Sequence, residues 1–257
     1  MGENRDVSIK CLSGLTLCSQ NVNSLNLSTV NETMLNRKVR AITDSYSDII
    51  FICDIRANGK AMKLEKKFLY SPKPYLLYIN STGNKRGVAI LVNKNLNCEV
   101  LRTFKDLDEN ILGIKVKINN ENILLLSVYG PNTDKCNIFY QNLQGIINRS
   151  QCESIIFGGD LNTTLDPTRI TGTHDNSNLD LFNMNSNINP ANGELLCKLL
   201  RDNNMLDPFR IKNPYKRDYS YVPFSVGSNN RSRIDYIFCS SNLLNLATAL
   251  CPDSQSL

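Results

Sequence analysis

Short apolar runs recur along this chain, and each gives way at once to a polar residue. Ile49–Cys53 is followed by Asp54, and Ile155–Phe157 by the turn Gly158-Gly159-Asp160. Runs this short, rich in Ile and Phe and bounded by turn residues, are typical of buried strands. A chain that carries many such strands has to pack its sheets against another layer, which restricts it to β-rich or layered α/β architectures.

Further strands and several helices follow from the spacing of apolar residues. Leu15 and Leu17 alternate with polar residues in the first strand, and the later predicted strands are Tyr75–Ile79, Gly87–Val92, Ile111–Ile118, Ile123–Tyr129, Tyr219–Val222 and Arg233–Phe238. Helical spacing, preceded by possible caps, gives the segments Leu35–Tyr46 after Ser28 or Thr29, Ile138–Ile147, and Leu195–Leu200. Because strands outnumber helices, the pattern favours a sheet-on-sheet sandwich flanked by helices.

The composition fits one large domain. The chain has 257 residues, 41% of them hydrophobic, which excludes a disordered chain and a small disulfide scaffold. No Pro-, Gly- or Ser-rich linker divides it, so residues 1–257 are predicted to form a single domain. The nine Cys lack CxxC spacing, which favours reduced thiols over a zinc site. The net charge of +5 is compatible with a polyanionic partner, and no apolar stretch predicts a signal peptide or a membrane helix.

Polar side chains at the ends of the predicted strands form the candidate active site. They are Asn21, Asp54, Tyr129, Asp160 with Asn162, and Asp235. Asp160 and Asn162 are two residues apart, so both side chains point to the same side of an extended segment. Converging carboxylates and amides provide the hard oxygen ligands that suit Mg²⁺. Each residue taken singly is better explained as a turn former or loop cap, so the hypothesis depends on the set and its order.

Five motifs containing these residues resemble the exonuclease–endonuclease–phosphatase superfamily. They are Ser19–Leu25, Asp48–Asp54, Val128–Asn132 (Tyr-x-Pro-Asn), Gly159–Asn162 (Gly-Asp-x-Asn) and Ser232–Ile237 (Ser-x-Ile-Asp), in the family's order over almost the whole chain. The resemblance implies an α/β fold, a four-layered sandwich of two mainly antiparallel β-sheets flanked by helices, like that of DNase I. The second motif departs from the family at its end, where Asp54 stands in place of the usual Glu.

Within the superfamily, the chain is most similar to the apurinic-like endonuclease domain of LINE-type (non-long-terminal-repeat) retrotransposons. Asn178–Asn183 and Asn229–Asp235 carry this narrower resemblance. It implies a Mg²⁺-dependent endonuclease, in which Mn²⁺ can substitute, that nicks one strand of double-stranded DNA to leave a 3′-hydroxyl for target-primed reverse transcription. It also implies an N-terminal place in a longer reverse-transcriptase polyprotein, which is synthesised in the cytoplasm and acts in the nucleus.

The resemblance gives each candidate residue a role. Asp54 and Asn21 hold the metal, and Asn21 also orients Asp160. Asp160 activates or orients the attacking water, while Asn162 binds a phosphate oxygen. Tyr129 forms a hydrogen bond with the phosphate or with the leaving oxygen.

The family's terminal histidine has no obvious counterpart. In the family an Asp, matched here by Asp235, orients a His that contacts the scissile phosphate, and the best register places Ser254 in that slot. The single His of the chain, His174, lies in a long polar stretch. Three explanations stay open: a His beyond residue 257, His174 reaching in, or Ser254 as a neutral replacement. If Ser254 fills the slot, nicking should be weak, lack an inflection near pH 6–7, and improve in Ser254→His.

Residues near the last motifs are predicted to contact DNA. The segment between Tyr221 and Arg233 is expected to form a β-hairpin at the minor groove or along the duplex, with an apolar wedge at Val222–Phe224. The basic run from Arg56 to Lys67 is a second candidate for phosphate contact. The predicted DNA-contacting residues are Asn132, Ser220, Val222, Phe224, Arg231 and Arg233.

Two other functions are compatible with the same motifs. One is a phosphoesterase of this superfamily with another substrate, such as a phosphoinositide, an RNA tail or an abasic site. The polar loop Ser225–Ser232 favours DNA over lipid. The other is a nucleic-acid-binding module that keeps the fold but cuts weakly or not at all. Plasmid nicking with Mg²⁺ and with EDTA distinguishes this module from a nuclease.

Overall fold

Two six-stranded sheets form the centre of the fold. The structure, a computed structural model, describes residues 7–11, 14–26, 31–132, 136–165, 181–182, 190–221, 231–244 and 248–250. In these segments the chain forms fourteen strands and six helices. No helix among the described residues is long and apolar enough to cross a membrane.

The first sheet is built almost entirely from the N-terminal part of the chain. Its strands are β1 (Val7–Cys11), β2 (Leu15–Asn21), β3 (Ile49–Cys53), β4 (Tyr75–Asn80), β5 (Val88–Asn93) and β14 (Thr248–Leu250), in the order β14-β1-β2-β3-β5-β4. β2 and β3 run parallel, and the other neighbours are antiparallel. β3 is buried along its whole length, which explains why its sequence is a continuous apolar run.

The second sheet follows in the chain. Its strands are β6 (Cys98–Lys105), β7 (Ile111–Ile118), β8 (Glu121–Tyr129), β9 (Ser154–Asp160), β11 (Met205–Leu206) and β13 (Asp235–Ser240), in the order β11-β13-β9-β8-β7-β6. β8 and β9 are its parallel pair. A separate two-stranded ribbon pairs β10 (Leu181–Phe182) with β12 (Arg231–Ser232).

Helices cover the outer face of each sheet. They are α1 (Glu32–Thr43), α2 (Ala61–Leu69), α3 (Cys136–Ser150), α4 (Pro190–Asp202), α5 (Pro208–Lys212) and α6 (Ser241–Leu244). Along β3, Ile50 and Ile52 cluster with α1 and α2, whereas Ile49 and Phe51 cluster with the second sheet. α3 and α4 pack on the other face of the second sheet, for example through Leu143. The predicted four-layered α/β sandwich of mainly antiparallel sheets is therefore confirmed.

Some local predictions differ from the structure. α1 is capped by Asn31, whose Oδ1 accepts from the backbone nitrogen of Met34 at 2.8 Å, while Ser28 and Thr29 lie outside the described residues. Of the strand expected at Tyr219–Val222, the described residues 219–221 form a single bridge, between Tyr221 and Ser232. The next strand begins at residue 235 rather than 233.

Candidate active site

Five polar residues meet at one edge of the two sheets. Asn21 ends β2, and Asp54 directly follows the neighbouring β3. In the second sheet, Tyr129 lies opposite Asp160 at the ends of β8 and β9, and Asp235 at the start of β13 lies opposite Asp160 on its other side. The parallel pairs bring their carboxyl ends to the same edge, so the structure assembles the set that the sequence predicted.

Asp160 is a buried carboxylate that is held from two sides. Its side chain accepts hydrogen bonds from Nδ2 of Asn21 at 2.8 Å and from the backbone nitrogen of Asn162 at 2.9 Å. The pKa of Asp160 is raised to about 6, because burial and, less strongly, the charge of Asp54 raise it by more than these two hydrogen bonds lower it. A carboxyl group with a pKa near neutrality is suited to exchange a proton with water.

Tyr129 and Asn162 supply hydrogen-bond donors beside this carboxylate. Burial, followed by the charges of Asp54 and Asp160, raises the pKa of Tyr129 to about 12, so its hydroxyl stays protonated at neutral pH. Asn162 has a left-handed φ of 48°, and its Nδ2 donates to the carbonyl oxygen of Gly130 at 2.8 Å. A Cβ atom on Gly130 would lie 2.2 Å from the carbonyl oxygen of Leu161, so this position requires glycine.

Asp235 is placed by a turn that Ser220 organises. The backbone nitrogens of Ile234 and Asp235 both donate to Oγ of Ser220 at 3.0 Å. Ser220 and Asp235 are both buried. The prediction that Ser220 contacts DNA is therefore corrected, because its hydroxyl lies inside the protein and shapes the turn before β13.

Arg233 also lies inside the protein. Its guanidinium forms an ion pair with Asp207 and stacks between the rings of Phe209 and Tyr236, at 4.8 and 4.5 Å from their centroids. The residue is 4% exposed. This burial corrects the prediction of a phosphate contact.

The other predicted DNA contacts divide into two groups. Arg231 and Asn132 are exposed, which agrees with a surface role that stays a prediction. Val222, Phe224, His174 and Ser254 lie outside the described residues, as does most of the expected hairpin.

The sequence did not indicate the role of Cys53. Its Sγ donates to the carbonyl oxygen of Val128 at 3.0 Å and accepts from the backbone nitrogen of Asp160 at 3.3 Å. Burial raises the pKa of this thiol well above its usual value, so it stays protonated and able to donate. The thiol thus joins the end of β3 to the ends of β8 and β9. The available signal was its position directly before Asp54, where the resembling family has Gln.

Asp54 is held by a residue that the sequence placed in a basic run. Arg56 donates from Nε to Oδ1 and from Nη2 to Oδ2 of Asp54, both at 2.7 Å. This contact raises the pKa of Arg56. The carboxylate is 6% exposed, whereas the arginine side chain is 39% exposed.

The oxygen atoms at this edge fit a divalent cation. Among the described residues, no three His, Cys, Asp or Glu side chains cluster as a complete metal cage. Mg²⁺ commonly needs just one or two carboxylates, with water and substrate phosphate as further ligands. The negative charge of Asp54 raises the pKa of both Asp160 and Tyr129, so a cation bound at Asp54 would lower both pKa values. Asp54 and the amide oxygen of Asn21 are the candidate ligands.

Comparisons with known proteins show the family and the fold of this chain. The endonuclease/exonuclease/phosphatase family matches residues 18–256. A Xenopus laevis protein described as "Transposon TX1 uncharacterized 149 kDa protein" is 25% identical over 189 residues. That match covers 72% of this chain but 13% of the relative, so the chain spans a small part of that protein.

Solved structures share the fold at low identity. An AP endonuclease from Archaeoglobus fulgidus has a TM-score of 0.66 and 15% identity, with 90% of this chain and 88% of that chain covered. The AP endonuclease LMAP from Leishmania major has a TM-score of 0.69 and 15% identity, covering 94% and 81%. A humanized D. rerio TDP2 has a TM-score of 0.56 and 15% identity, covering 88% and 83%. At this identity the likeness concerns the fold, two sheets flanked by helices.

Proposed function

We propose, on the premise that this chain belongs to the endonuclease/exonuclease/phosphatase family, that it is a Mg²⁺-dependent endonuclease that nicks one strand of double-stranded DNA. The 3′-hydroxyl at the nick primes reverse transcription by another domain of the same polyprotein, which acts in the nucleus. The transposon relative, of which the match covers 13%, supports a longer protein of this kind.

The observation that carries the proposal is the hydrogen bond between Asn21 and Asp160. It joins the two sheets at the edge where Asp54, Tyr129 and Asp235 also lie. A buried carboxylate held in one orientation, with a pKa near neutrality, is what a base needs to activate water. A structural turn former would not require this burial.

Each residue has a task in hydrolysis of the phosphodiester. Asp160 accepts a proton from the water that attacks phosphorus. Asn21 holds the orientation of this carboxylate through its hydrogen bond. Asn162 and the protonated Tyr129 donate to phosphate oxygens or to the leaving 3′-oxygen. Asp54 and Asn21 would hold a divalent cation, which when bound stabilises negative charge on the phosphodiester and on the departing oxygen. The bond from phosphorus to the 3′-oxygen breaks and this oxygen takes a proton from water, which leaves a 5′-phosphate and a 3′-hydroxyl.

Nicking of supercoiled plasmid tests the proposal. The wild type should convert it to open circles with Mg²⁺ and not with EDTA, and Asp160→Asn should abolish cutting while DNA binding persists. Asp202→Asn is the matched control, because Asp202 is exposed on α4 and pairs with Lys198. A wild-type rate of nicking by Asp160→Asn would contradict the assignment of Asp160 as the base of the active site. Binding without any cutting would favour the non-catalytic module, and preferential cutting of abasic oligonucleotides would favour the other phosphoesterase.

A further inference from the structure

We propose that Arg56 is a resident counter-ion of Asp54 that a divalent cation displaces, and that the displaced guanidinium then binds a DNA phosphate beside the site. Arg56 would therefore couple metal binding to DNA binding. The inference rests on the proposed function for the identity of the two ligands. It concerns binding, so it can be tested separately from cutting.

The ion pair between Asp54 and Arg56 uses both oxygens of the carboxylate. Both oxygens of Asp54 accept from the guanidinium at 2.7 Å, the bidentate geometry that arginine forms best with carboxylates. The pKa of Lys38 is lowered by burial and raised by the charge of Asp54, so the two groups interact. However, Nζ of Lys38 donates to the carbonyl oxygens of Val22, Asn23 and Ser24 at 2.8 to 2.9 Å. Lys38 thus holds the loop after β2, and the direct neutralisation of Asp54 falls to Arg56.

The side chain of Arg56 can move away from Asp54 while its backbone stays in place. Asp54 and Arg56 have left-handed φ values of 57° and 53°, which fold the chain back so that the guanidinium meets the carboxylate. The backbone nitrogens of Ile55 and Arg56 donate to the carbonyl oxygens of Gly87 and Arg86 at 3.1 and 2.8 Å. These bonds fix the loop, whereas the arginine side chain is 39% exposed and borders solvent.

A divalent cation and the guanidinium of Arg56 cannot both occupy the space next to Asp54. Mg²⁺ needs a ligand oxygen at about 2.0–2.1 Å. An ion so close to Asp54 would lie next to the guanidinium, and like charges at that separation repel strongly at a largely buried site. Binding of the metal therefore costs the Asp54–Arg56 pair and turns Arg56 toward solvent.

The displaced guanidinium of Arg56 has basic side chains nearby. Lys85 and Arg86 are exposed on the loop that is bonded to the Arg56 backbone. When Arg56 is released, it adds a third positive charge beside Lys85 and Arg86. The planar guanidinium can form two parallel hydrogen bonds with phosphate oxygens. Since each ligand then favours the arrangement that the other needs, metal and DNA must strengthen each other's binding by the same factor.

Arg56→Gln tests the proposal, with Arg86→Gln as a control that removes a neighbouring positive charge without touching Asp54. Mn²⁺ binding to DNA-free protein, followed by electron paramagnetic resonance, should tighten about tenfold in Arg56→Gln, equivalent to one charge-assisted hydrogen bond. It should stay unchanged in Arg86→Gln. Thermal unfolding in EDTA should occur at a lower temperature in Arg56→Gln, because Asp54 loses its partner.

A second measurement tests the coupling to DNA. Duplex affinity is compared in Ca²⁺ and in EDTA at equal ionic strength, with a gel to show that the DNA stays intact. Ca²⁺ should strengthen binding by the wild type and by Arg86→Gln, and the gain should be largely lost in Arg56→Gln. Arg56→Lys keeps the positive charge but not the planar guanidinium, so its gain in duplex affinity with Ca²⁺ should lie between those of the wild type and Arg56→Gln.

Unchanged Mn²⁺ affinity in Arg56→Gln, or an equal gain with Ca²⁺ in wild type and variant, would overturn the proposal. If Arg56→Gln does not fold, the same comparison is made with Arg56→Lys, and unchanged Mn²⁺ affinity there has the same meaning. Tighter Mn²⁺ binding with no plasmid nicking by any protein would support this inference while contradicting the proposed function. Nicking with unchanged Mn²⁺ affinity would do the reverse.

Discussion

Asn21 and Asp160 are 139 positions apart in the chain, yet Nδ2 of Asn21 lies 2.8 Å from Oδ2 of Asp160. One residue ends a strand of the first sheet, and the other ends a strand of the second. The hydrogen bond therefore depends on how the two sheets are packed. It also lowers the pKa of Asp160, so the same contact affects both the position and the proton affinity of the carboxylate.

Asn21→Ala should slow nicking about 10- to 150-fold, which corresponds to the loss of a hydrogen bond to a charged group. It should also move the pH–rate inflection upward, because Asp160 loses a bond that favours its ionised form. Single-turnover nicking across pH measures both effects. Asn122→Ala, an exposed site on β8, is the control. A rate within about twofold of wild type would contradict the role assigned to Asn21.

The nicking rate should rise as pH increases through about 6 and then level off. Asp160 acts as a base in its ionised form, and its pKa is raised to about 6. If Ser254 fills the family's histidine slot, no inflection near pH 6–7 is expected from an imidazole, and the buried carboxyl group of Asp160 would then be the source of the inflection. The inflection should persist in His174→Ala. Its loss there would instead identify His174 as the titrating group.

Stability in EDTA should fall as pH rises from about 4 to about 6. A carboxyl whose folded pKa is raised binds more protons in the folded state over this window, so its contribution is complete below the unfolded pKa and lost above the folded one. The loss is on the order of 3 kcal/mol at most. Urea unfolding at several pH values measures it. Asp160→Asn should flatten the profile, and a profile equally steep in this variant would assign the effect to another group.

Arg233 and Arg231 should behave in opposite ways, although two positions separate them. Arg233→Ala should destabilise the fold by about 3–5 kcal/mol, because it leaves Asp207 buried without its ion-pair partner. Arg231→Ala should leave stability unchanged and reduce the salt dependence of DNA binding by about one unit of slope. Chemical denaturation and titrations at several salt concentrations separate the two. A stable Arg233→Ala that binds DNA weakly would restore the original prediction of a phosphate contact.

Cys53→Val should lower the rate of nicking more than Cys53→Ser. A serine hydroxyl can still donate toward Val128 and accept from Asp160, whereas valine removes both contacts and leaves the size similar. The expected loss in Cys53→Val is in kcat rather than KM, because the thiol positions Asp160 and does not face DNA. Cys239→Val, at a buried position on β13, is the control. Equal rates in the serine and valine variants would show that the thiol does nothing beyond packing.

The strands were predictable from the sequence where apolar runs end at turns, and Ile111–Ile118 has the same bounds in prediction and structure. α2 was missed, because three of its nine residues are lysines and it buries Leu64 and Phe68 alone among its side chains. The sequence predicted the candidate site because most of its members lie at or next to the end of an apolar strand. The burial of Arg233 could not be read from the sequence, because it depends on Asp207, which lies 26 residues away. The bidentate Asp54–Arg56 pair depends on two left-handed backbone conformations that no sequence pattern indicated.

The division of the sheets along the chain has a consequence for synthesis. A ribosome that has added residue 200 has already produced Asn21, Asp54 and Asp160, but not Asp235. The first sheet also needs its last strand, residues 248–250, which pair with β1 near the start of the chain. A nascent or prematurely terminated polypeptide would therefore carry most of the proposed catalytic side chains without the framework that aligns them. The proposed cutting of DNA is expected to begin when nearly the whole of this domain has been synthesised.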